Sequence, residues 1–494
     1  MNQSQVFLDE RVRIAAEAFQ FLKSTTIGER AVFMHAVADK IEKLGPELLE
    51  TAHAETALPL ARLTGEKART VGQWRSYANA VALGIYTEAR IDLANSETGK
   101  NDIRKFNLGI GPVVVFGASN FPFAFSTAGG DTASAIGAGC PVIVKGHSGH
   151  TRTSTIMAEA IAAVVKEFGW PEGVFSHILG ANIEGTDTKI GAYLTGHPLV
   201  KAVGFTGSYW GGKALFDIAN QREEPIPVFA EMGSINPVFA FTHMLQERAE
   251  ALAKEYASSL TMGVGQFCTN PGVFIAVKGD GLDRFKNALA LEIGAIAPST
   301  MLNSGIYTHF EKNKTTLSNQ EAVTVIAESG IEASQGQGRA RIISTSASNF
   351  LKNQVLSEEV FGPFAVLVEA DSAKEVLTIA QELKGQLTIT MAGTAQDVQE
   401  HQDVFNVVKD KAGRLLFNGM PTGVEVVYAM QHGGPFPSCT DPRFTSVGPD
   451  AVKRFVRPLS FQNWPDEFLP VELKNENTLG ISRIVDGSAT KTSI

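Results

Sequence analysis

Gly111-Pro112-Val113-Val114-Val115-Phe116-Gly117-Ala118-Ser119-Asn120 opens the part of the chain whose pattern decides the fold. Val113–Phe116 is a short β-rich run closed on both sides by turn-forming residues. Comparable runs follow at Val142–Lys145, Val174–Leu179, Ala202–Thr206 and Val228–Ala230, with helical segments between them at Ala124–Gly137, Thr153–Phe168 and Gly212–Asn220. Strand and helix in alternation predict an α/β fold with a parallel sheet and crossover helices. Such sheets take ligands beyond the carboxyl ends of their strands, so a nucleotide crevice is the architectural expectation.

N-terminal to this region the pattern is helical. Val12, Ile14, Ala15, Phe19 and Leu22 recur at helical spacing, and Val32, Phe33, Val37 and Ile41 repeat it. A polar stretch from Ser96 to Arg104 separates these helices from the first strand. On the C-terminal side a second strand–helix pattern runs from about Ile235 to Gly434, with Gly272–Val277 and Phe364–Val368 as strands. Its middle, Ser299–Ser348, is polar and reads as looser connections. The tail from Asn463 to Ile494 is polar and is expected on a surface or at a subunit contact.

The 494 residues carry 43 Lys+Arg against 52 Asp+Glu, a net charge of −9. No broad cationic face is available for phosphates, which excludes nucleic acid as the main partner. Met1–Glu10 lacks the layout of a signal peptide and no window is long and apolar enough for a membrane span, so a cytoplasmic protein is expected. Three cysteines, Cys140, Cys268 and Cys439, with no CxxC spacing, exclude a disulfide framework and a cysteine-rich zinc site.

Cys268 follows Gly263-Val264-Gly265-Gln266-Phe267, where glycines let the backbone turn tightly and expose a thiol to an electrophile. Cys140, at the entrance of an apolar strand, reads as packed; Cys439 lies in a Pro/Ser/Thr loop and reads as exposed without a role. A thiolate attacking a carbonyl creates an oxyanion that needs donors, and Asn120, just after a strand, either offers its amide there or, as its residue type alone favours, forms a turn before an aromatic. Glu231 ends the run Val228–Ala230 before Met232-Gly233-Ser234, a position that suits a general base or an exposed loop carboxylate. Glu359 precedes Val360-Phe361-Gly362-Pro363 and needs a partner to acquire meaning. Phe121, Phe123, Phe125 and Phe267 line either an apolar tunnel or the core.

These pieces in this order resemble the aldehyde dehydrogenase superfamily. Asn120-Phe121-Pro122 is similar to its oxyanion motif, Pro141–Lys145 to its cofactor-lysine strand and Gly204-Phe205-Thr206-Gly207-Ser208 to its nucleotide turn. Glu231-Met232-Gly233 resembles its base motif, Gly265–Cys268 its nucleophile motif and Glu359–Pro363 its ribose and nicotinamide motif. Asn418-Gly419, Pro421–Val424, His432-Gly433-Gly434-Pro435-Phe436-Pro437 and Thr445–Gly448 resemble the branch that holds α-ketoglutaric semialdehyde (2,5-dioxovalerate) dehydrogenases and a bacterial fatty aldehyde dehydrogenase.

The resemblance implies an α/β, aldehyde dehydrogenase-like fold of two Rossmann-like parallel-sheet domains plus small oligomerisation elements. Residues 1–232 would bind cofactor, with 96–111 as an oligomerisation segment; 233–434 would be catalytic; 435–494 would return to the cofactor domain and supply the oligomerisation tail. Cys268 would be the nucleophile, Asn120 an oxyanion donor and Glu231 the base that activates the hydrolytic water. His432 either braces a glycine-rich turn or handles protons at the edge of the site. Lys145, Ser148, Gly207, Ser208, Glu359 and Phe361 would bind the dinucleotide. Ser148 stands where NAD-preferring relatives carry a carboxylate, which favours NADP over NAD, and Lys189 would supply a point charge near the 2′-phosphate. No metal is expected, since His147 and His150 have no acidic or thiol companion.

The expected reaction oxidises a small-molecule aldehyde, with 2,5-dioxovalerate first and a long-chain fatty aldehyde second. No arginine adjoins the motifs in sequence to announce a carboxylate pocket. A coenzyme-A-acylating dehydrogenase is disfavoured by Glu231, and a non-enzymatic binding protein by the filled chemical positions. A homo-dimer or homo-tetramer is expected.

Overall fold

The computed structural model describes residues 3–494. The chain enters through four helices, α1 (Gln3–Leu22), α2 (Ile27–Glu42), α3 (Pro46–Thr56) and α4 (Leu60–Ala82). α2 begins at a capping box in which Thr26 Oγ1 accepts from the Glu29 N–H and the Glu29 carboxylate accepts from the Thr26 N–H, satisfying donors that a helix start leaves free. Val12, Ala15, Leu22, Phe33, Val37 and Ile41 are buried as their spacing requires, whereas Val32 is 60% exposed. Adjacent helical residues stand about 100° apart, so Phe33 turned inward turns Val32 outward.

The first sheet consists of β1 (Val113–Phe116), β2 (Val142–Lys145), β3 (Phe175–Ile178), β4 (Ala202–Thr206) and β5 (Val228–Glu231). Their order is β3-β2-β1-β4-β5 and every pairing is parallel. The order reverses between β1 and β4, which opens a crevice at their carboxyl ends. Val113 and Val115 join the core on one side of the sheet and Val114 the core on the other, as the two-residue period of a strand dictates.

Helices α5 (Gly130–Gly137), α6 (Thr151–Glu167), α7 (Ile190–Gly196) and α8 (Tyr209–Asn220) connect the strands. The helix expected from Ala124 starts only at Gly130. The Phe123 and Ala124 N–H groups donate instead to the Glu66 carboxylate at 2.8 and 3.0 Å, which holds this segment as a loop against α4.

The second sheet comprises β6 (Val238–Ala240), β7 (Val273–Val277), β8 (Val323–Glu328), β9 (Arg341–Ser346), β10 (Phe364–Ala370), β11 (Gln386–Ala392) and β12 (Ala412–Phe417). Its order is β8-β9-β10-β7-β6-β11-β12, parallel except for β8 against β9. Ser299–Ser348 is therefore more regular than its composition suggested, since it supplies the helix Ser304–Ser318, two strands of this sheet and a two-stranded ribbon of Ser299–Thr300 with Gln337–Gly338. A third sheet joins Val456–Gln462, Ile103–Gly109, Arg90–Asp92, Arg483–Val485 and Ser488–Thr490. It unites the segment before β1 with the C-terminal tail.

After β12 the chain returns to the first sheet. Met232 N donates to Ser438 O at 2.7 Å, Thr440 N donates to Ala230 O at 3.1 Å, and Glu231 and Cys439 form an isolated β-bridge. Cys439, expected at the surface, is buried for that reason, as is Cys140. No helix among the described residues is long and apolar enough to cross a membrane.

Candidate active site

Between α9 (Thr242–Thr261) and β7 the chain turns through Gly263, Val264 and Gly265, with φ of 55°, 60° and 64°. Glycine adopts this left-handed region freely, but a β-branched valine does so only when its surroundings enforce it. A Cβ on Gly265 would lie 2.3 Å from the Gly362 carbonyl carbon, so the glycine allows the Cys268 turn to press against the loop that carries Glu359. The turn is held from below by Asn236, fully buried, whose Nδ2 donates to Cys268 O at 2.8 Å and to Asn270 O at 2.9 Å. Asn270 Nδ2 in turn donates to Gly362 O.

Cys268, partly exposed, has its Sγ 3.5 Å from His432 Nε2. That nitrogen is 2.9 Å from Glu231 Oε1, an ion-pair contact in which the oxygen has no aligned hydrogen bond. The other oxygen, Oε2, accepts from Ser446 Oγ at 2.6 Å. Glu231 and His432 are 3% and 1% exposed, so Glu231 is not the exposed loop carboxylate that its position also allowed. His432 is fixed by its backbone N–H donating to Thr445 Oγ1 and by its carbonyl accepting from the Ser446 N–H. The three donor atoms lie within 4.8 Å of one another. His147 and His150 stack on each other with ring centroids 5.3 Å apart.

Burial and the adjacent Glu231 carboxylate push the Cys268 thiol well above the ordinary thiol range, with Arg69 pulling weakly the other way. Burial would raise Glu231 too, but the close approach of His432 and the hydrogen bond from Ser446 outweigh it and lower the carboxyl. The resting sulfur therefore keeps its proton, with a carboxylate and an imidazole in reach to accept it. Asn120, 7% exposed, is brought to the same turn, its Nδ2 donating to Gln266 O at 3.1 Å.

The residues expected at a dinucleotide occupy the carboxyl edge of the first sheet and the facing loop. Lys145, at the end of β2, is half-buried, and burial lowers its pKa with no counter-charge opposing. Gly207 and Ser208 are exposed after β4; Gly207 N donates to Glu231 O at 3.0 Å and Ser208 caps α8 by accepting from Gly211 N. Ser148 is exposed beyond β2. Across the crevice, Glu359 is raised to about 7 by burial despite a hydrogen bond from the Ser234 backbone, and Phe361 reaches over to pack on the core of the first sheet. An uncompensated ammonium and the free N–H groups at a helix start fit a ribose and a pyrophosphate.

Phe123 is core, but Phe121, Phe125 and Phe267 form a wall. Phe121 is 5.3 Å from Phe125 and 5.6 Å from Phe267, centroid to centroid, and Phe125 is 6.2 Å from the His432 ring. Two arginines lie on this wall, contrary to the expectation that none adjoins the motifs. Arg62 covers Phe121 and Phe267 at 5.1 and 4.8 Å, and Arg69 covers Phe121 and Phe125 at 5.8 and 5.1 Å. Arg62 Nη2 donates to Asn120 O at 2.8 Å. Both arginines project from α4 far upstream, and the only sequence signal was Arg62, Glu66 and Arg69 on one helical face. Asn236 also escaped sequence reading, and Ser446 entered only within the Thr445–Gly448 motif without a role, since short polar residues in loops carry no periodicity.

The sequence model of the aldehyde dehydrogenase family matches residues 2–458. Over 489 residues the chain is 45% identical to alpha-ketoglutaric semialdehyde dehydrogenase 2 of Azospirillum brasilense, covering 98% of this chain and 92% of that protein. It is 43% identical over 495 residues to the alpha-ketoglutaric semialdehyde dehydrogenase of Acinetobacter baylyi, covering 99% and 93%. In fold it is similar to 1-pyrroline-5-carboxylate dehydrogenase from Thermus with bound NAD, with a TM-score of 0.77 at 18% identity over 94% of this chain and 86% of that one.

Proposed function

The chain belongs to the aldehyde dehydrogenase family, and on that premise we propose that it oxidises 2,5-dioxovalerate to 2-oxoglutarate through a thioester on Cys268. The observation that carries this reading is the buried chain Cys268–His432–Glu231–Ser446, in which a thiol, an imidazole and a carboxylate meet at one point. Close relatives named for the semialdehyde, matched along nearly their whole length, support the substrate.

In this reading the Cys268 proton passes to the Glu231–His432 pair as Sγ attacks the aldehyde carbon. The oxyanion that forms takes hydrogen bonds from the Asn120 amide and the Cys268 N–H. NAD(P), when bound, supplies the acceptor for the hydride that leaves that carbon. Lys145, Gly207, Ser208, Glu359 and Phe361 hold it. The pair releases the thiol proton to solvent; Glu231 then takes a proton from water as the water oxygen adds to the thioester carbon, the C–S bond breaks, and the proton is returned to Sγ as the acid departs. A carboxylate beside the sulfur is placed to activate water and has no use in transfer to coenzyme A, which favours hydrolysis.

Ser148, small and uncharged, supports NADP over NAD, because no carboxylate opposes a 2′-phosphate. The exposed Trp464, Phe468 and Ile103 on and beside the third sheet support a homo-dimer or homo-tetramer. A substrate panel tests the activity: 2,5-dioxovalerate should exceed decanal in kcat/KM, and the Cys268→Ala enzyme should oxidise neither. Preference for decanal overturns the substrate.

A further inference from the structure

We propose that Arg69, assisted by Arg62, forms the subsite that binds the distal carboxylate of the substrate on the Phe121–Phe125–Phe267 wall. This rests on the proposal that the substrate is a carboxylate-bearing aldehyde and names the residues that select it.

The first argument is unspent donors. Arg69 Nε and Nη2 and Arg62 Nη1 are all shielded from solvent and have no hydrogen-bond partner. Leaving such charged donors unmet is costly unless a ligand meets them. Nε and Nη2 lie on the same edge of the guanidinium, so Arg69 presents two parallel N–H groups, the fork that matches the two oxygens of a carboxylate.

The second argument is charge. Around Arg69 the interacting groups are Glu66, Tyr77, Cys268 and Glu231. Glu231 is engaged by His432 and Ser446, and Tyr77 is kept neutral, burial pushing its pKa up to about 12. Glu66 alone remains between two guanidiniums, and one of its oxygens is committed to the Phe123 and Ala124 N–H groups. One positive charge on this wall thus lacks a counter-charge, which an anionic substrate supplies.

The third is position. The rings under the arginines run without a break from Phe267, next to the nucleophile, to Phe125, next to His432. An aldehyde with its carbonyl at Cys268 would have its chain along the wall and its far end at the free edge of the Arg69 guanidinium. Neutral aldehydes find the same apolar floor but leave the arginines unmet, which gives selectivity against them.

The test compares 2,5-dioxovalerate with pentanal in wild type, Arg69→Gln, Arg69→Lys and Arg62→Gln enzymes. The wild-type preference for the acid should fall about 100-fold in Arg69→Gln, chiefly through KM, as expected for losing a buried charged hydrogen-bond pair. Arg69→Lys, which keeps charge without the fork, should recover part of that loss. Glutarate should protect Cys268 from iodoacetamide in the wild type and protect it less in Arg69→Gln, a reading that needs no turnover. If the wild type prefers the acid and the ratio and the protection are unchanged in both glutamine variants, the subsite is overturned while the proposed activity stands. If the wild type itself prefers pentanal, the substrate proposal falls, and the subsite with it.

Discussion

Cys268 lies 3.5 Å from an imidazole nitrogen that is itself 2.9 Å from a carboxylate oxygen, so removing the carboxylate acts on the sulfur in two opposed ways. Glu231→Gln should slow steady turnover about 100-fold or more and the first burst of reduced cofactor much less, because hydrolysis of the thioester depends on the base most. Stopped-flow absorbance separates the two phases. In the free enzyme the same change should speed alkylation of Cys268 near neutrality. An anion beside a thiol raises its pKa, and neutralising that anion shifts the alkylation profile to lower pH. Glu359 gives a prediction with the other sign. Its carboxyl is raised from the ordinary 4.5 to about 7, so the folded state holds its proton more tightly and stability is lost as pH climbs through that window. The Tm of Glu359→Gln relative to wild type should therefore increase between about pH 4.5 and 7, as scanning fluorimetry would show. At this scale sequence motifs singled out Cys268, Glu231, Asn120 and His432, which the structure gathers at one turn. Arg62 and Arg69 stayed hidden because a polar stripe on a helix normally faces water, and only the fold shows what it faces.

Among the elements, the first sheet was legible almost residue by residue, because buried parallel strands are short apolar runs between turns. The start of α5 was not. Ala124 has good helix propensity, but its N–H and that of Phe123 are taken by Glu66 from a distant helix, and no local pattern records such a partner. The contact between the nucleophile turn and the Glu359 loop depends on Gly265, where both the left-handed φ and the 2.3 Å approach to Gly362 exclude a side chain. Gly265→Ala should cost about 1 kcal/mol or more in urea unfolding and reduce kcat beyond what the unfolded fraction accounts for, since it separates loops carrying the nucleophile and Glu359.

For the whole molecule, alternation along the chain foretold two parallel sheets, yet it was silent on the third sheet, whose strands come from both ends of the sequence. Non-local pairing leaves no periodic trace beyond the individual strand. That sheet and its flank expose Trp464 at 52% and Phe468 at 67%, apolar surface that the proposed homo-oligomer would cover. The double change Trp464→Ser and Phe468→Ser should lower the mass seen by sedimentation toward that of one chain while the circular dichroism of the sheets persists.

The return of the chain from β12 to lie along β5 bears on how this protein is born. The imidazole at 432 and the hydroxyl at 446 are among the last site residues to leave the ribosome, long after the thiol they serve. A nascent chain stalled before them carries a sulfur without its proton acceptor pair complete. In the proposed scheme the site is complete only once residue 446 has been made, so a chain that stops between Cys268 and His432 carries the thiol without the imidazole and the hydroxyl.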